Sequence, residues 1–203
     1  MLRIGLTGGV ACGKSTVADM LATRGAHYLK ADTLAHDLYR PGTPVYEALL
    51  RAFGPGILGS DGSINRAELA NKAFPDRVAE LNSIVHPAVI EAQNRWLVEV
   101  EKADPHGIAV LEAALLLEAG AGKDFDQIIV VTCPFEQKVE RYAKRAGLSL
   151  EAARKEVERR SAAQFTDEEK AGYADFVIDN SGTVQELEGR VQALWEKLKQ
   201  AAR

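Results

Sequence analysis

Apolar residues along this chain fall into two rhythms, and their alternation predicts the architecture. Leu2, Ile4 and Leu6 read as a short buried strand, and Thr16 to Leu21 as the opening of a helix. Residues 26–31 read as a second strand ending at Asp32, 107–111 as a third closed by Glu112, 126–132 as a fourth and 176–178 as a short fifth. These runs are nearly continuous in apolar side chains, as expected of strands covered on both faces. Strand and helix in turn predict an α/β fold of three layers, a five-stranded parallel sheet with helices on either side.

About seventy-five residues separate the second strand from the third, far more than one crossover helix needs. Tyr46, Leu49, Leu50 and Phe53 share a helix face before the break Gly54-Pro55-Gly56, and Gly59-Ser60-Asp61-Gly62 marks another turn. Val78, Leu81, Val85, Val89, Ala92, Trp96 and Val100 then recur at helical spacing, a pattern expected to be interrupted at Pro87. The stretch 36–104 is therefore read as a helical insertion over the carboxyl ends of the strands, where open α/β sheets bind ligands, with Trp96 in its core. Near the end, Thr183-x-x-Glu186 is a capping box opening a helix with the stripe Val184, Leu187, Val191, Leu194 and Leu198.

The link between the first strand and the first helix changes the picture from fold to chemistry. Gly8-Gly9-Val10-Ala11-Cys12-Gly13-Lys14-Ser15 fits G-x-x-x-x-G-K-[ST]. A glycine-rich turn there aims several backbone N–H groups at one place, and the helix N-terminus adds about half a positive charge. The expected occupant is the polyphosphate of a nucleoside triphosphate, with Lys14 on its β- and γ-phosphates and the Ser15 hydroxyl on a magnesium ion.

The composition is that of an ordinary globular protein: 203 residues, 46% apolar and 27% charged, enough for one α/β core plus an insertion. A net charge of −4 gives no general basic field, so neither nucleic acid nor an anionic membrane is an expected partner. No apolar run nears the ~18 residues of a membrane span, and no secretory pattern precedes the first strand, so a cytoplasmic protein is expected. Two cysteines are too few for a disulfide framework or a thiolate metal site; Cys12 is expected as a small loop residue and Cys133 as a buried strand end.

Charge is uneven, however. Between Lys138 and Arg160 stand eight lysines and arginines against four glutamates. Pro134 suits a first helical turn, Gly147 a helix end and Ser149 an N-cap, so the segment reads as a helical hairpin. Arg141 and Arg145 share one face, and Arg160 and Gln164 share another. Beside a phosphate loop, such a hairpin (135–171) is read as a cationic lid over the triphosphate; without one it would be a solvated pair of helices with Glu140 and Lys144 matched. Asp32 is read either as the group that accepts a proton from an attacking hydroxyl or as the N-cap of a helix starting at Thr33. Glu112 is read as a magnesium carboxylate or a plain cap, and His86 as structural.

Taken in order, these segments resemble the dephospho-coenzyme A kinase family. The resemblance rests on 5–16, Ala31-Asp32, Asp61-Gly62-Ser63-Ile64-Asn65-Arg66 with Leu69, Leu81-Asn82-x-Ile84-x-His86-Pro87, Leu115-Leu116-Leu117-Glu118, Arg160-Ser161-Ala162-Ala163-Gln164 and 174–182. It implies a P-loop kinase fold with the core at about 1–35, 105–134 and 172–203. It also implies transfer of a phosphoryl group from ATP, with Mg2+, to the ribose 3′-hydroxyl of dephospho-coenzyme A, the last step of coenzyme A synthesis. By resemblance, Gly8, Gly9, Val10, Ala11, Cys12, Gly13, Lys14, Ser15 and Thr16 hold the ATP phosphates. Asn180, Ser181 and Gly182 lie near the adenine, and Arg141 and Arg145 match the lid arginines. Asp32, Arg66, His86 and Leu115 belong to the acceptor, and Ser15 with Glu112 to the metal. The resemblance leaves a monomer or a weak homo-oligomer open. Three positions depart from the family's pattern: Lys30 for an acid, Glu112 for aspartate and Ala114 for proline.

Two other readings are weaker. Another small-acceptor kinase, for a nucleoside monophosphate, gluconate or shikimate, would share the architecture but has less use for so long an insertion. A guanine-nucleotide switch would need Asn-Lys-x-Asp, which is missing, and the one D-x-x-G match, Asp104 to Gly107, precedes its strand.

Overall fold

The computed structural model describes residues 1–202. Its first strand, β1 (Leu2–Gly8), is the middle of a five-stranded parallel sheet. The others are β2 (His27–Lys30), β3 (Ile108–Glu112), β4 (Gln127–Thr132) and β5 (Phe176–Asp179), in the order β2-β3-β1-β4-β5. Leu6 is in register with Glu112 on one side and Ile129 on the other, so the carboxyl ends of the three central strands meet at one edge.

By its internal contacts the chain divides into two compact units. The first comprises Met1–Leu29 and the chain from Val100 onward. Here α1 (Lys14–Ala22) and α9 (Val184–Ala201) cover one face of the sheet: Val17, Ala18 and Leu21 join Leu187, Val191, Leu194, Trp195 and Leu198 over Ile4, Leu6, Val110 and Ile129. The capping box at Thr183 and Glu186 forms as expected. Val184 does not join the stripe: it lies in the first turn and is exposed, and Trp195 takes the inner place instead.

The hairpin is α6 (Phe135–Ala146) and α7 (Leu150–Ser161), followed by the short α8 (Asp167–Ala171). Gly147 ends α6 at φ 64°, a left-handed turn that glycine adopts without strain, and the Ser149 hydroxyl caps α7. Pro134 is the N-cap of α6 rather than its first turn. Because α7 stops at Ser161, Gln164 does not share a helix face with Arg160. The hairpin has a small core of its own, Val139, Tyr142, Ala143, Ala153 and Val157, and Val10 of the phosphate loop is part of it.

Lys30–Glu99 forms the second unit. It holds α2 (Ala31–Leu38), α3 (Pro44–Phe53), α4 (Arg66–Ala73) and most of α5 (Val78–Ala103). Its core is Val45, Tyr46, Leu49, Phe53, Ile57, Ile64, Leu69, Ala73 and Val85. Thr43 and Asn65 cap α3 and α4. Two expectations need correction here. Pro87 does not interrupt the long helix, because α5 runs through it and the proline ring stands on the exposed side. Asp32 is not an N-cap: β2 passes straight into α2, Lys30 holds the cap position, and Asp32 lies in the first turn. The stripe Val78 to Val100 does face inward, with Trp96 half-buried rather than in the core.

Candidate active site

The site starts where β1 ends. The loop leaves the sheet at Gly8, rises through Ala11 at φ 54° and turns into α1 at Gly13, φ 98°. A side chain at Gly13 would be strained by that φ and would meet the Asn180 amide 2.1 Å away. No side chain caps α1, and its first turn carries no acid. The opening amides therefore remain available to an anion, which is the electrostatic basis of phosphate binding at such a turn.

Lys14 lies back across the loop, its Nζ donating to the carbonyls of Gly8 (3.0 Å) and Gly9 (2.9 Å). Ser15 Oγ donates to Glu112 Oε1 at 2.9 Å, and the Tyr28 hydroxyl donates to Glu112 Oε2. Burial and then this bond hold the Tyr28 phenol well above the usual tyrosine range. Glu112 is the last residue of β3, not a cap, and it is buried. Hydroxyl and carboxylate oxygens are the hard donors Mg2+ takes, and Mg2+ needs only one or two of them from protein, so this pair fits the ion.

Across the loop, the Asn180 to Gly182 segment after β5 is fastened on two sides. Asn180 Nδ2 donates to Cys12 O (2.8 Å), Arg141 Nη2 donates to Asn180 O (2.8 Å), and Gln137 Nε2 donates to Ser181 O (2.8 Å). Arg141 Nη1 is buried with no protein partner among the described residues, a donor left over for an anion. Arg145 goes elsewhere: its guanidinium lies 5.2 Å from the Tyr142 ring, which Arg160 also approaches at 5.5 Å. The structure thus separates two arginines that spacing could not. Glu140 and Lys144 form no pair among the described residues; the ion pairs within α6 and α7 are Arg154–Glu136, Lys155–Glu151 and Glu156 with both Arg159 and Arg160.

Cys12 is a loop residue, as expected, and its side chain is fully buried in the main core. Burial pushes both thiols up, Cys133 to about 11, which works against thiolate formation at either. Behind Gly9 sits an ion pair that sequence reasoning missed, Lys138 Nζ to Asp167 Oδ2 at 2.7 Å. A second such pair supports the loop after β3. Lys170, wholly buried, donates to Ala114 O (3.0 Å) and pairs with Glu118 Oε1 (3.0 Å), which also accepts from the Phe165 amide. Thr7 Oγ1 reaches the same Ala114 carbonyl at 3.4 Å. These bonds hold the loop in which Leu116 and Leu117 are buried and Leu115 is exposed.

Within the second unit, Asp32 and His36 lie one turn apart on α2 and so share a face. Arg66, first residue of α4, donates to His36 Nδ1 at 2.8 Å and lies 5.6 Å from the Tyr39 ring. His36 and Tyr39 were not foreseen, since neither sits in a recognisable motif. His86 is exposed on α5.

Comparison with known proteins gives the family. A family model described as dephospho-CoA kinase matches residues 2–186. The dephospho-CoA kinase of Aquifex aeolicus (strain VF5) is 44% identical over 204 residues, covering 98% of each chain. Among solved structures, TT1252 from Thermus thermophilus superposes with a TM-score of 0.80 at 34% identity, covering 97% of each chain. A dephospho-CoA kinase from Campylobacter jejuni, at 24% identity, a TM-score of 0.71 and 99% and 98% coverage, shares the fold. An uncapped phosphate loop with its lysine and serine in place, joined to full-length likeness of this kind, leads to one assignment: the chain belongs to the dephospho-CoA kinase family.

Proposed function

We propose that the protein transfers the γ-phosphoryl group of ATP to the ribose 3′-hydroxyl of dephospho-CoA, giving coenzyme A and ADP in the last step of coenzyme A synthesis. The observation that carries this reading is the uncapped start of α1, flanked by Lys14 and by the buried spare donor of Arg141. Those groups match a triphosphate in charge and in hydrogen-bond type, and the family supplies the acceptor.

In this reading the loop amides from Gly8 to Thr16 hold the ATP phosphates. Lys14 exchanges its two loop carbonyls for phosphate oxygens, and Arg141 directs its spare N–H at charge that grows as the β–γ bridge breaks. Asn180 to Gly182 border the base. Ser15 and Glu112 would hold Mg2+, which neutralises phosphate charge when bound. Asp32 orients the 3′-hydroxyl and takes its proton as the new O–P bond forms; the electron pair of the broken bond leaves on the β-phosphate oxygen of ADP. By family likeness Arg66, His86 and Leu115 belong to the acceptor, the unit Lys30–Glu99 serves as the acceptor-binding part, and the α6–α7 hairpin works as a lid that keeps water from the γ-phosphate. Little covalent chemistry is asked of the protein; positioning and charge neutralisation do the rest.

A panel of acceptors with γ-labelled ATP tests the assignment. Label is expected in dephospho-CoA, and not in gluconate, shikimate or nucleoside monophosphates. Label in one of those instead, with none in dephospho-CoA, overturns it.

A further inference from the structure

Tyr28 has no part in the reading so far, yet its hydroxyl makes a part-buried hydrogen bond beside the phosphate loop. It lies in β2, the strand beside β3, and its hydroxyl donates to one oxygen of Glu112 while Ser15 donates to the other at 2.9 Å. Only 4% of Glu112 is exposed. A glutamate has one more side-chain torsion than an aspartate, so its carboxylate has more positions to lose before it can serve a fixed site. Gripping both oxygens removes that freedom. A tyrosine suits the task, because its ring has few torsions and its hydroxyl sits at the end of a rigid lever.

We propose that Tyr28 is a positioning residue: its hydroxyl fixes the Glu112 carboxylate so that, with Ser15 Oγ, it offers a preset pair of hard oxygens to the divalent cation that accompanies ATP. The inference rests on the kinase reading above. It assigns Tyr28 no contact with ATP or acceptor. Partners that orient a metal-binding carboxylate are commonly worth tenfold or more in metal affinity.

The test measures metal binding without turnover. Mn2+ is titrated into the protein with a non-hydrolysable ATP analogue, and free Mn2+ is read by electron paramagnetic resonance. Tyr28→Phe keeps the ring and removes only the hydroxyl. It is expected to weaken Mn2+ binding in the ternary complex about tenfold, while affinity for the analogue in the presence of a chelator stays the same. A merely structural role would shift both together. In a Glu112→Asp background the carboxylate is one methylene shorter and should lose its bond to the tyrosine, so Tyr28→Phe is expected to change Mn2+ affinity there by less than about twofold. Equal Mn2+ affinity in wild type and Tyr28→Phe overturns the inference, as does an effect of the same size in both backgrounds. If the wild type itself binds no Mn2+ with the analogue, the metal site of the kinase reading fails, an outcome separate from these.

Discussion

At the scale of single residues, the structure distinguishes groups that share a residue type. Arg141 ties α6 to Asn180 and keeps a buried spare donor, whereas Arg145 rests on Tyr142. Arg141→Ala is therefore expected to lower kcat/KM at least tenfold more than Arg145→Ala, about 1.4 kcal/mol of extra transition-state stabilisation, in a steady-state assay at fixed Mg2+. Asp32→Asn should cut kcat by roughly 10²–10⁴ and leave ATP binding, followed by calorimetry, unchanged; an unaltered kcat removes Asp32 from the mechanism. The phosphate loop was legible in the sequence because its chemistry is mostly backbone, and backbone geometry is what Gly8, Gly13 and the following helix specify. Tyr28 and Lys170 were not. A tyrosine in an apolar strand reads as core, and a wholly buried lysine is too rare to expect without its partner in view. Lys170 has that partner in Glu118. Lys170→Ala is expected to destabilise the fold by about 3–5 kcal/mol, because it leaves the Glu118 carboxylate without its cation and with only the Phe165 amide to bond it. Lys170→Met with Glu118→Gln should recover much of that loss, as read by urea midpoints.

Elements were read well wherever period and punctuation agreed. The five strands, the capped α9 and the hairpin with its Gly147 stop all followed from spacing and turn residues. Boundaries failed where tertiary packing overrode a local signal. Pro87 costs α5 one N–H donor, yet the inward stripe on both sides of it keeps the helix in one piece. Asp32 looked like a cap because acids favour that place, but the strand runs directly into the helix. Spacing also could not show that Val10 would be shared by the phosphate loop and the hairpin core, which couples the two mechanically. The hairpin carries its own pH signature. Arg159 and then Arg160, by hydrogen bonds, hold the Glu156 carboxyl at about 2. A depressed carboxylate stabilises the fold above its unfolded value and loses that contribution as pH falls toward the folded one. Protection factors of α7 amides, corrected for intrinsic exchange, should thus fall between about pH 4.5 and pH 2, and Glu156→Gln should flatten that dependence.

For the molecule as a whole, the insertion was legible as an excess of residues between two strands, and its core as helical stripes. Its limits were harder to place: the compact unit is Lys30–Glu99, against an expected 36–104, because α2 follows β2 without a linker. Each unit has an apolar core and one tryptophan, Trp96 in the second and Trp195 in the first. Leu49→Ala empties the centre of the second core and should cost about 2–5 kcal/mol, read by Trp96 fluorescence in a Trp195→Phe background. Sequence could not name the acceptor from physics alone, since apolar surface in such an insertion serves packing and binding alike; the family likeness closes that gap.

The central claim is that the loop opening α1 delivers a phosphoryl group to one particular hydroxyl. Phosphorus NMR of the wild-type protein with equimolar ATP, Mg2+ and dephospho-CoA tests it most directly. One new phosphomonoester coupled to the ribose 3′ carbon should appear as ATP is converted to ADP, and it should vanish with Lys14→Ala. ADP formed with inorganic phosphate alone, or phosphate carried on any other atom, would contradict the account.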